Sequence, residues 1–158
     1  MSQNKEMYMK YEGVAVRIKA HEGFRNQVYL DTLGNRTIGY GHLVHKDEKW
    51  KDDVEYSREE LDQLFEEDFR EAVALMGLFC REHDLDITEC AKGIIIEMMF
   101  QLGPVRTSKF KKMIAALKEK DYESAADEMI DSRWHQQTPE RCKSLASRMR
   151  KCGWVQLN

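Results

Sequence analysis

From residue 57 onward, the apolar residues of the sequence recur at helical spacing, and this pattern most limits how the chain can fold. Before it, one stretch, residues 27–45, alternates in the manner of strands around the turn sequence DTLGNR. A chain with one small hairpin region and many amphipathic helices buries its core mostly between helices. We therefore predict an α+β, mainly helical fold, with a small hairpin-containing N-terminal lobe, a long connecting helix and a helical C-terminal lobe.

Helix start and stop signals set the predicted boundaries. Val14 and Ile18 lie on one face of a short helix that ends at Gly23, since glycine readily takes the left-handed conformation found at helix ends. Ser57 and Glu60 form a capping box in front of the longest apolar repeat. The predicted single domain thus comprises a small lobe over residues 11–56, a connecting helix over 57–80 and a helical lobe over 81–158.

The helical lobe is predicted to surround a buried central helix. Asp86 and Glu89 form a second capping box, and the apolar segment that follows stops at the Gly-Pro pair at 103–104. Thr138 in front of Pro139 starts the last helix, because a capping hydroxyl before a first-position proline is a start signal. A substrate site is expected in the cleft between two such lobes.

Several classes of protein are excluded by composition. No stretch of about 18 uncharged apolar residues exists, so we exclude a membrane span. The first residues lack the apolar centre of a secretory signal, so we expect a cytoplasmic protein. The cysteines contain no CxxC pair, which argues against a zinc site and a redox motif, and we expect them to be reduced, mostly buried thiols. They are Cys80, Cys90, Cys142 and Cys152.

Two carboxyl groups near the predicted hairpin could perform acid–base chemistry. Glu22 lies at the end of the first helix, where the helix dipole disfavours a charged carboxylate, as a general acid requires. Asp31 lies in a polar turn and should stay ionised. Glycoside hydrolysis needs such an unequal pair, in which one group protonates the leaving oxygen and the other activates water. Taken alone, however, Glu22, Asp31 and Thr37 are more typical of a solvated glutamate, a turn former and a strand residue than of catalytic groups.

The run HEGFRNQVYLDTLGNRTIGYGHLV, residues 21–44, resembles the phage-type lysozymes of glycoside hydrolase family 24, in the T-even phage branch. That family shows a Glu-Gly pair, then Tyr-x-Asp, a glycine turn and Thr-Ile-Gly-x-Gly-His, and all of these occur here in register. MMFQLG at 98–103 and SRWHQQTPERCK at 132–143 are similar to its central-helix and cleft-closing segments. The resemblance runs from about residue 11 to the C terminus and implies the two-lobed lysozyme fold.

The resemblance implies a role for each residue of the hairpin region. Glu22 would be the general acid, Asp31 the carboxylate that activates water, and Thr37 the hydroxyl that orients this water. The reaction would be hydrolysis of the β-1,4 bond between N-acetylmuramic acid and N-acetylglucosamine in peptidoglycan, with inversion at the anomeric carbon. Inversion needs room for a water molecule, so the two carboxyl groups should lie roughly 6.5–9.5 Å apart.

Further positions are implied to support the site or to bind substrate. His42 and Asp68 match a pair that would tie the small lobe to the connecting helix, although any nearby carbonyl could also satisfy a core histidine. Arg141 matches an arginine that faces the catalytic glutamate. The substrate-binding candidates are Gly41, Phe100, Gln101, Arg133, Gln137 and Thr138. Trp134 is more typical of a core aromatic residue than of a sugar platform.

The biological setting implied by the resemblance is that of a bacteriolytic endolysin from a phage or prophage. Such a muramidase accumulates in the host cytoplasm and reaches peptidoglycan once the inner membrane is permeabilised, in the family with the help of a holin. We expect a monomer without metal, cofactor, nucleic-acid partner or stable membrane insertion. A lytic transglycosylase and a non-catalytic peptidoglycan-binding protein remain alternatives. The basic cluster at 141–151 lacks the interleaved aromatic residues that nucleic-acid binding favours.

Overall fold

Eight helices and one three-stranded sheet make up residues 3–154, the part of the chain that the computed structural model describes. The helices are α1 (Gln3–Lys10), α2 (Glu12–Glu22), α3 (Arg58–Glu82), α4 (Glu89–Ser108), α5 (Lys111–Lys118), α6 (Tyr122–Ile130), α7 (Arg133–Gln137) and α8 (Pro139–Arg150). The strands are β1 (Arg25–Leu30), β2 (Arg36–Gly39) and β3 (His42–Leu43). The predicted α+β, mainly helical class is confirmed. The chain divides after Glu71, inside α3, into two compact units.

The sheet of the first unit is antiparallel, with the strand order β1-β2-β3. Tyr29 lies opposite Thr37, and Thr37 lies opposite Leu43, so the three side chains share one face of the sheet. On β2, the next residue, Ile38, is fully buried and belongs to a cluster with Leu61 of α3. The predicted hairpin region is therefore present, and α3 covers its apolar face.

Two predicted helix boundaries in this unit are confirmed in detail. Helix α2 ends at Gly23, which has a φ of 70° and whose N–H donates to the carbonyl of Lys19 at 3.0 Å. At the start of α3, the hydroxyl of Ser57 accepts a hydrogen bond from the N–H of Glu60 at 3.1 Å. Both signals lie within a few residues of the boundary they mark. The sequence alone was therefore sufficient to locate these two helix ends.

The second unit surrounds α4, whose residues from Ile94 to Met99 are all buried. The predicted capping box of Asp86 with Glu89 is wrong. Thr88 is the N-cap instead, and its hydroxyl accepts from the N–H of Ala91 at 3.1 Å. Asp86 is exposed and pairs with Lys120 at 3.1 Å.

Gly103 in α4 and Thr138 in front of α8 act differently than we predicted. The helical path of α4 breaks at Gly103, with a φ of 81° and a ψ of 170°, but a further helical turn follows as far as Ser108. Helix α8 begins at Pro139 as predicted, yet the hydroxyl of Thr138 does not cap it. This hydroxyl donates to the carbonyl of Trp134 at 3.3 Å, because the short helix α7, which we did not predict, ends directly beside it.

The expectation of four reduced cysteines is wrong for two of them. Cys90, near the start of α4, and Cys152, just after α8, form a disulfide with their Cα atoms 5.3 Å apart. The two residues are 62 positions apart in sequence, so only the return of α8 to the start of α4 brings them together. Cys80 and Cys142 are free thiols, and burial raises the pKa of Cys142 to about 11.

Of the described helices, none combines the length and apolar character that a bilayer crossing requires.

Candidate active site

Glu22 is the last residue of α2, and its carboxyl group lies against the turn between β2 and β3. A Cβ atom at Gly41 would lie 2.9 Å from the carboxyl carbon of Glu22, which is closer than real Cβ contacts come. Gly41 also has a φ of 77°, a backbone conformation that other residues rarely adopt. Glycine at position 41 is therefore required twice, by the turn and by the space that the Glu22 carboxyl occupies.

Asp31 follows β1 directly and is held by the loop that leads to β2. Its Oδ1 atom accepts hydrogen bonds from the N–H groups of Leu33 at 2.9 Å and Asn35 at 2.8 Å. The side-chain amide of Asn35 reaches Oδ2 at 3.4 Å. The hydrogen bond from the Asn35 backbone is the largest cause that lowers the pKa of Asp31 below its ordinary value. Asp31 is thus an oriented, ionised carboxylate at neutral pH.

Thr37 is buried, with 3% of its surface exposed, at the start of β2. Its hydroxyl donates to the carbonyl of Asn35 at 2.9 Å. Because this proton is committed, the Thr37 oxygen can act only as an acceptor toward a further group such as a water molecule. Asn35 therefore fixes both Asp31, through its N–H, and Thr37, through its carbonyl.

Tyr29 is a residue of this site that the sequence analysis missed. Burial raises the pKa of Tyr29, and the charges of Glu22 and Asp31 raise it further, while Arg25 opposes them. The phenol is thus within electrostatic reach of both carboxyl groups. The three residues predicted to be catalytic, Glu22, Asp31 and Thr37, all lie in the first unit, and Thr37 is the strand partner of Tyr29.

His42 forms the support contact that was expected, and one more. Its Nδ1 atom lies 2.7 Å from Asp68 of α3, and its Nε2 atom lies 3.0 Å from both oxygens of Glu48. Burial alone would lower the pKa of His42, but the hydrogen bonds and charges of Asp68 and Glu48 outweigh it and raise the pKa to about 9. At neutral pH, His42 is therefore a cation that donates from both ring nitrogens. Glu48 was not predicted.

The other predicted residues belong to the second unit. Gln101 donates from its side-chain amide to the hydroxyl of Thr138 at 3.3 Å, and Gln137 accepts from Arg106 at 2.9 Å. Phe100 is partly exposed on α4, Arg133 is exposed at the start of α7, and Arg141 is buried on α8. Trp134 is a core residue with 2% of its surface exposed, as expected.

A cavity of about 660 Å³ opens in the second unit beside α5, α6 and α7. Of the predicted substrate-binding residues, Arg133 lines this cavity, together with the aromatic side chains of Phe110 and Trp134. Its other basic lining residues are Arg106, Lys109, Lys111 and Lys112.

Within residues 3–154, no group of three or more His, Cys, Asp or Glu side chains is arranged to hold a metal ion.

Comparison with known proteins identifies relatives over most of the chain. A family model described as phage lysozyme matches residues 19–151. Probable T4-type lysozyme 2 of Dictyostelium discoideum is 32% identical over 153 residues, which cover 82% of this chain and 89% of that protein.

Two phage proteins are also similar, but each is much longer than this chain. The pre-baseplate central spike protein Gp5 of Enterobacteria phage T4 is 29% identical over 161 residues, with 86% of this chain and 26% of that protein covered. The peptidoglycan hydrolase gp36 of Pseudomonas phage phiKMV is 27% identical over 129 residues, with 81% and 14% covered.

Proposed function

Because the chain belongs to the phage lysozyme family, we propose that it hydrolyses the β-1,4 bond between N-acetylmuramic acid and N-acetylglucosamine in bacterial peptidoglycan, with inversion. The observation that carries this proposal is the pair of hydrogen bonds by which Asn35 holds Asp31 and Thr37, in the same unit whose β2–β3 turn contacts the Glu22 carboxyl. Inversion uses two carboxyl groups with space between them for water and sugar.

In the proposed reaction, Glu22 donates its proton to the glycosidic oxygen as the bond to the anomeric carbon breaks. Asp31 accepts a proton from a water molecule, whose oxygen forms the new bond to the anomeric carbon from the opposite face. Thr37 accepts a hydrogen bond from the same water, since its own proton is held by Asn35. Proton exchange with solvent then restores Glu22 to the acid form and Asp31 to the carboxylate.

The hydrogen bonds to Asp31 suit this role because they fix the carboxylate before substrate arrives. A preorganised negative charge stabilises the positive charge that develops on the sugar ring in the transition state. The same hydrogen bonds make Asp31 a weaker base, so the orientation of water contributes more to its action than proton affinity. Gly41, Phe100, Gln101, Arg133, Gln137 and Thr138 stay predicted substrate contacts.

We place the enzyme in the setting of a phage or prophage endolysin that acts on the cell wall after the inner membrane is permeabilised. Action outside the reducing cytoplasm is supported by the disulfide between Cys90 and Cys152, because such bonds persist in oxidising compartments. A monomeric state and dependence on a holin belong to the same proposal. Size measurement in solution tests the former, and lysis with and without a co-expressed holin tests the latter.

Digestion of purified peptidoglycan tests the proposed reaction. Mass spectrometry of the products should show reducing N-acetylmuramic acid ends, and NMR of fresh product should show the anomer opposite to that of the substrate bond. Anhydromuramic ends would instead identify a lytic transglycosylase. Glu22→Gln should lower turnover by at least about 100-fold, which is the usual contribution of a general acid. The matched control is Glu12→Gln, at the exposed first turn of the same helix.

A binding protein without turnover would release no products from peptidoglycan with either the wild type or the control. It would still sediment with the insoluble wall. This outcome would contradict the proposed function as a whole, whatever the effect of Glu22→Gln on binding.

A further inference from the structure

Asn35 makes four hydrogen bonds with Asp31 and Thr37. Its carbonyl accepts from the N–H of Asp31 at 2.9 Å and from the hydroxyl of Thr37 at 2.9 Å. Its N–H and its side-chain amide both donate to the carboxylate of Asp31, at 2.8 and 3.4 Å. Three of these bonds come from the backbone of Asn35 and are kept in any substitution that preserves the fold. The amide contact is the one that depends on the identity of residue 35.

The hydrogen bonds to the Asp31 carboxylate are divided unequally between its two oxygens. Oδ1 accepts from the N–H groups of Leu33 and Asn35, at 2.9 and 2.8 Å. Oδ2 accepts the longer bond from the Asn35 amide. The N–H of Gly34 donates to the backbone carbonyl of Asp31 instead, at 3.0 Å. Because a carboxylate oxygen offers about two lone pairs, Oδ1 is saturated by these bonds, whereas Oδ2 has room for a water molecule.

This division suits a general base. The two short bonds fix the position of Oδ1 and, with it, the plane of the Asp31 carboxylate. The bond from Asn35 to Oδ2 is at the long end of the range for hydrogen bonds, so it orients this oxygen while leaving most of its affinity for a proton. A water molecule at Oδ2 can give one proton to Asp31 and direct the other to the hydroxyl oxygen of Thr37, which is left as an acceptor.

We propose that Oδ2 of Asp31 is the atom that accepts the proton of the attacking water, and that Asn35 is the positioning residue whose side-chain amide orients this oxygen. This inference rests on the proposed function and deepens it. As the bond from the water oxygen to the anomeric carbon forms, an O–H bond of the water breaks and its proton moves to Oδ2. The amide holds Oδ2 toward the water before this transfer, so its loss should lower kcat more than it changes KM.

The titratable and charged groups around Asp31 come from β1, β2 and α2. The charge of Asp31 acts on the phenol of Tyr29, on β1, and so does the charge of Glu22, the last residue of α2. Burial raises the pKa of Tyr29, so the phenol stays neutral at acidic and neutral pH. Arg36, at the start of β2, binds Asp52 at 2.9 Å. In the acidic range Tyr29 and Arg36 keep their charge states, so the pH dependence of activity there reports on carboxyl groups.

The first test compares Asn35→Ala with Asn26→Ala on soluble peptidoglycan oligosaccharides of defined length. Asn26 is a matched control, because it is an exposed asparagine of β1 in the same sheet, and its carbonyl accepts from the N–H of Tyr56 at 2.9 Å. The φ of Asn35 is not positive, so alanine fits there without strain. For Asn35→Ala we expect kcat to fall about two- to tenfold, the range of one hydrogen bond, with KM changed less than about twofold. Asn26→Ala should leave both constants unchanged.

The pH profile provides a readout that a merely structural role would not move. The hydrogen bond from the Asn35 backbone lowers the pKa of Asp31 most, partial desolvation opposes it, and the Asn35 side chain lowers the pKa further. Without the amide, Asp31 should take up a proton at higher pH, so the acidic limb of kcat/KM should move upward in Asn35→Ala. The isosteric Asn35→Asp should move it further, because a second negative charge replaces the donor beside Oδ2. Asn26→Asp adds the same charge elsewhere on the sheet and should leave the limb in place.

A titration without substrate measures the pKa of Asp31 itself. Carbon-13 NMR of the aspartate carboxyl groups follows this pKa, and Asp31→Asn identifies the signal. The pKa of Asp31 should rise in Asn35→Ala and in Asn35→Asp, and it should stay constant in both Asn26 variants. Asn35→Asp also decides the question if Asn35→Ala fails to fold.

Three results would overturn the inference. They are an acidic limb that stays in place in both Asn35 variants, a kcat of Asn35→Ala equal to that of Asn26→Ala, and a pKa of Asp31 that does not respond to either change at residue 35. If Asp31→Asn abolishes hydrolysis while the Asn35 variants have no effect, only the positioning role fails. If Asp31→Asn itself retains full turnover, the proposed function fails first.

Discussion

The charged His42 between Asp68 and Glu48 should make the stability of the protein depend on pH. The rise of its pKa from 6.5 to about 9 corresponds to about 3 kcal/mol, at 1.36 kcal/mol per pH unit. Both carboxylates are about a quarter exposed to solvent, so screening reduces the expected contribution to about 1–2 kcal/mol. For a chain of this length, that amounts to roughly 2–8 °C in Tm.

Asp68→Asn is the perturbation that tests this magnitude, because it keeps the shape and removes the charge. A group whose pKa is raised by folding contributes fully below its unfolded pKa, and its contribution disappears as pH rises through the folded value. The deficit in Tm should therefore be largest near pH 6 and should shrink from pH 7 to above 9. Hydrolysis should remain largely intact, since Asp68 does not contact the proposed catalytic groups.

Thermal unfolding followed by circular dichroism at pH 6, 7.5 and 10 measures the effect. Asp86→Asn is the control, because its ion pair with Lys120 is highly exposed and should contribute little at any pH. An unchanged Tm of Asp68→Asn at pH 6, or a deficit that stays constant to pH 10, would refute the assignment of this stability to a charged His42.

Three other predictions follow from the site and the helical unit. Gly41→Ala should reduce turnover at least tenfold, measured on soluble oligosaccharides, because its methyl group would displace the catalytic carboxyl; Gly103→Ala, also at a positive φ but with nothing within 4 Å and in the second unit, should retain turnover. Cys152→Ser should lower stability by up to about 4 kcal/mol, measured by denaturant unfolding, because it opens the long loop closed by Cys90; equal stability under oxidising and reducing conditions would contradict this. The acidic limb of kcat/KM should lie below the ordinary range of an aspartate, since hydrogen bonds lower the pKa of Asp31, and a limb above that range would contradict that role.

The parts of the fold that were predictable from sequence are those fixed by neighbouring residues. The Ser57 capping box and the end of α2 at Gly23 each depend on a span of a few positions. The start of α4 shows the limit of such signals. Asp86 and Thr88 are both good capping residues, and burial of Ile87 between them, which depends on the packed unit, decides in favour of Thr88.

The parts that were missed depend on contacts between distant residues. No local spacing reveals that Cys152 returns to Cys90, or that Glu48 meets the second nitrogen of His42. Tyr29 was missed because the strand register that places it opposite Thr37 includes an irregularity. By contrast, Glu22, Asp31 and Thr37 were found through a motif, and the chemistry assigned to them stays a prediction until variants are measured.

Asn35 gives the proposed site a mechanical property that neither carboxyl group has alone. The backbone of this one residue binds the carboxylate of Asp31 through its N–H and the hydroxyl of Thr37 through its carbonyl, so these two groups move together when the sheet flexes. Thermal motion can then change the distance from Asp31 and Thr37 to Glu22. It leaves the proposed binding site of the attacking water, between Asp31 and Thr37, unchanged. The segment from Asp31 to Thr37 therefore keeps its own internal geometry. Grafting this segment onto another hairpin should transfer the proposed water-binding geometry with it.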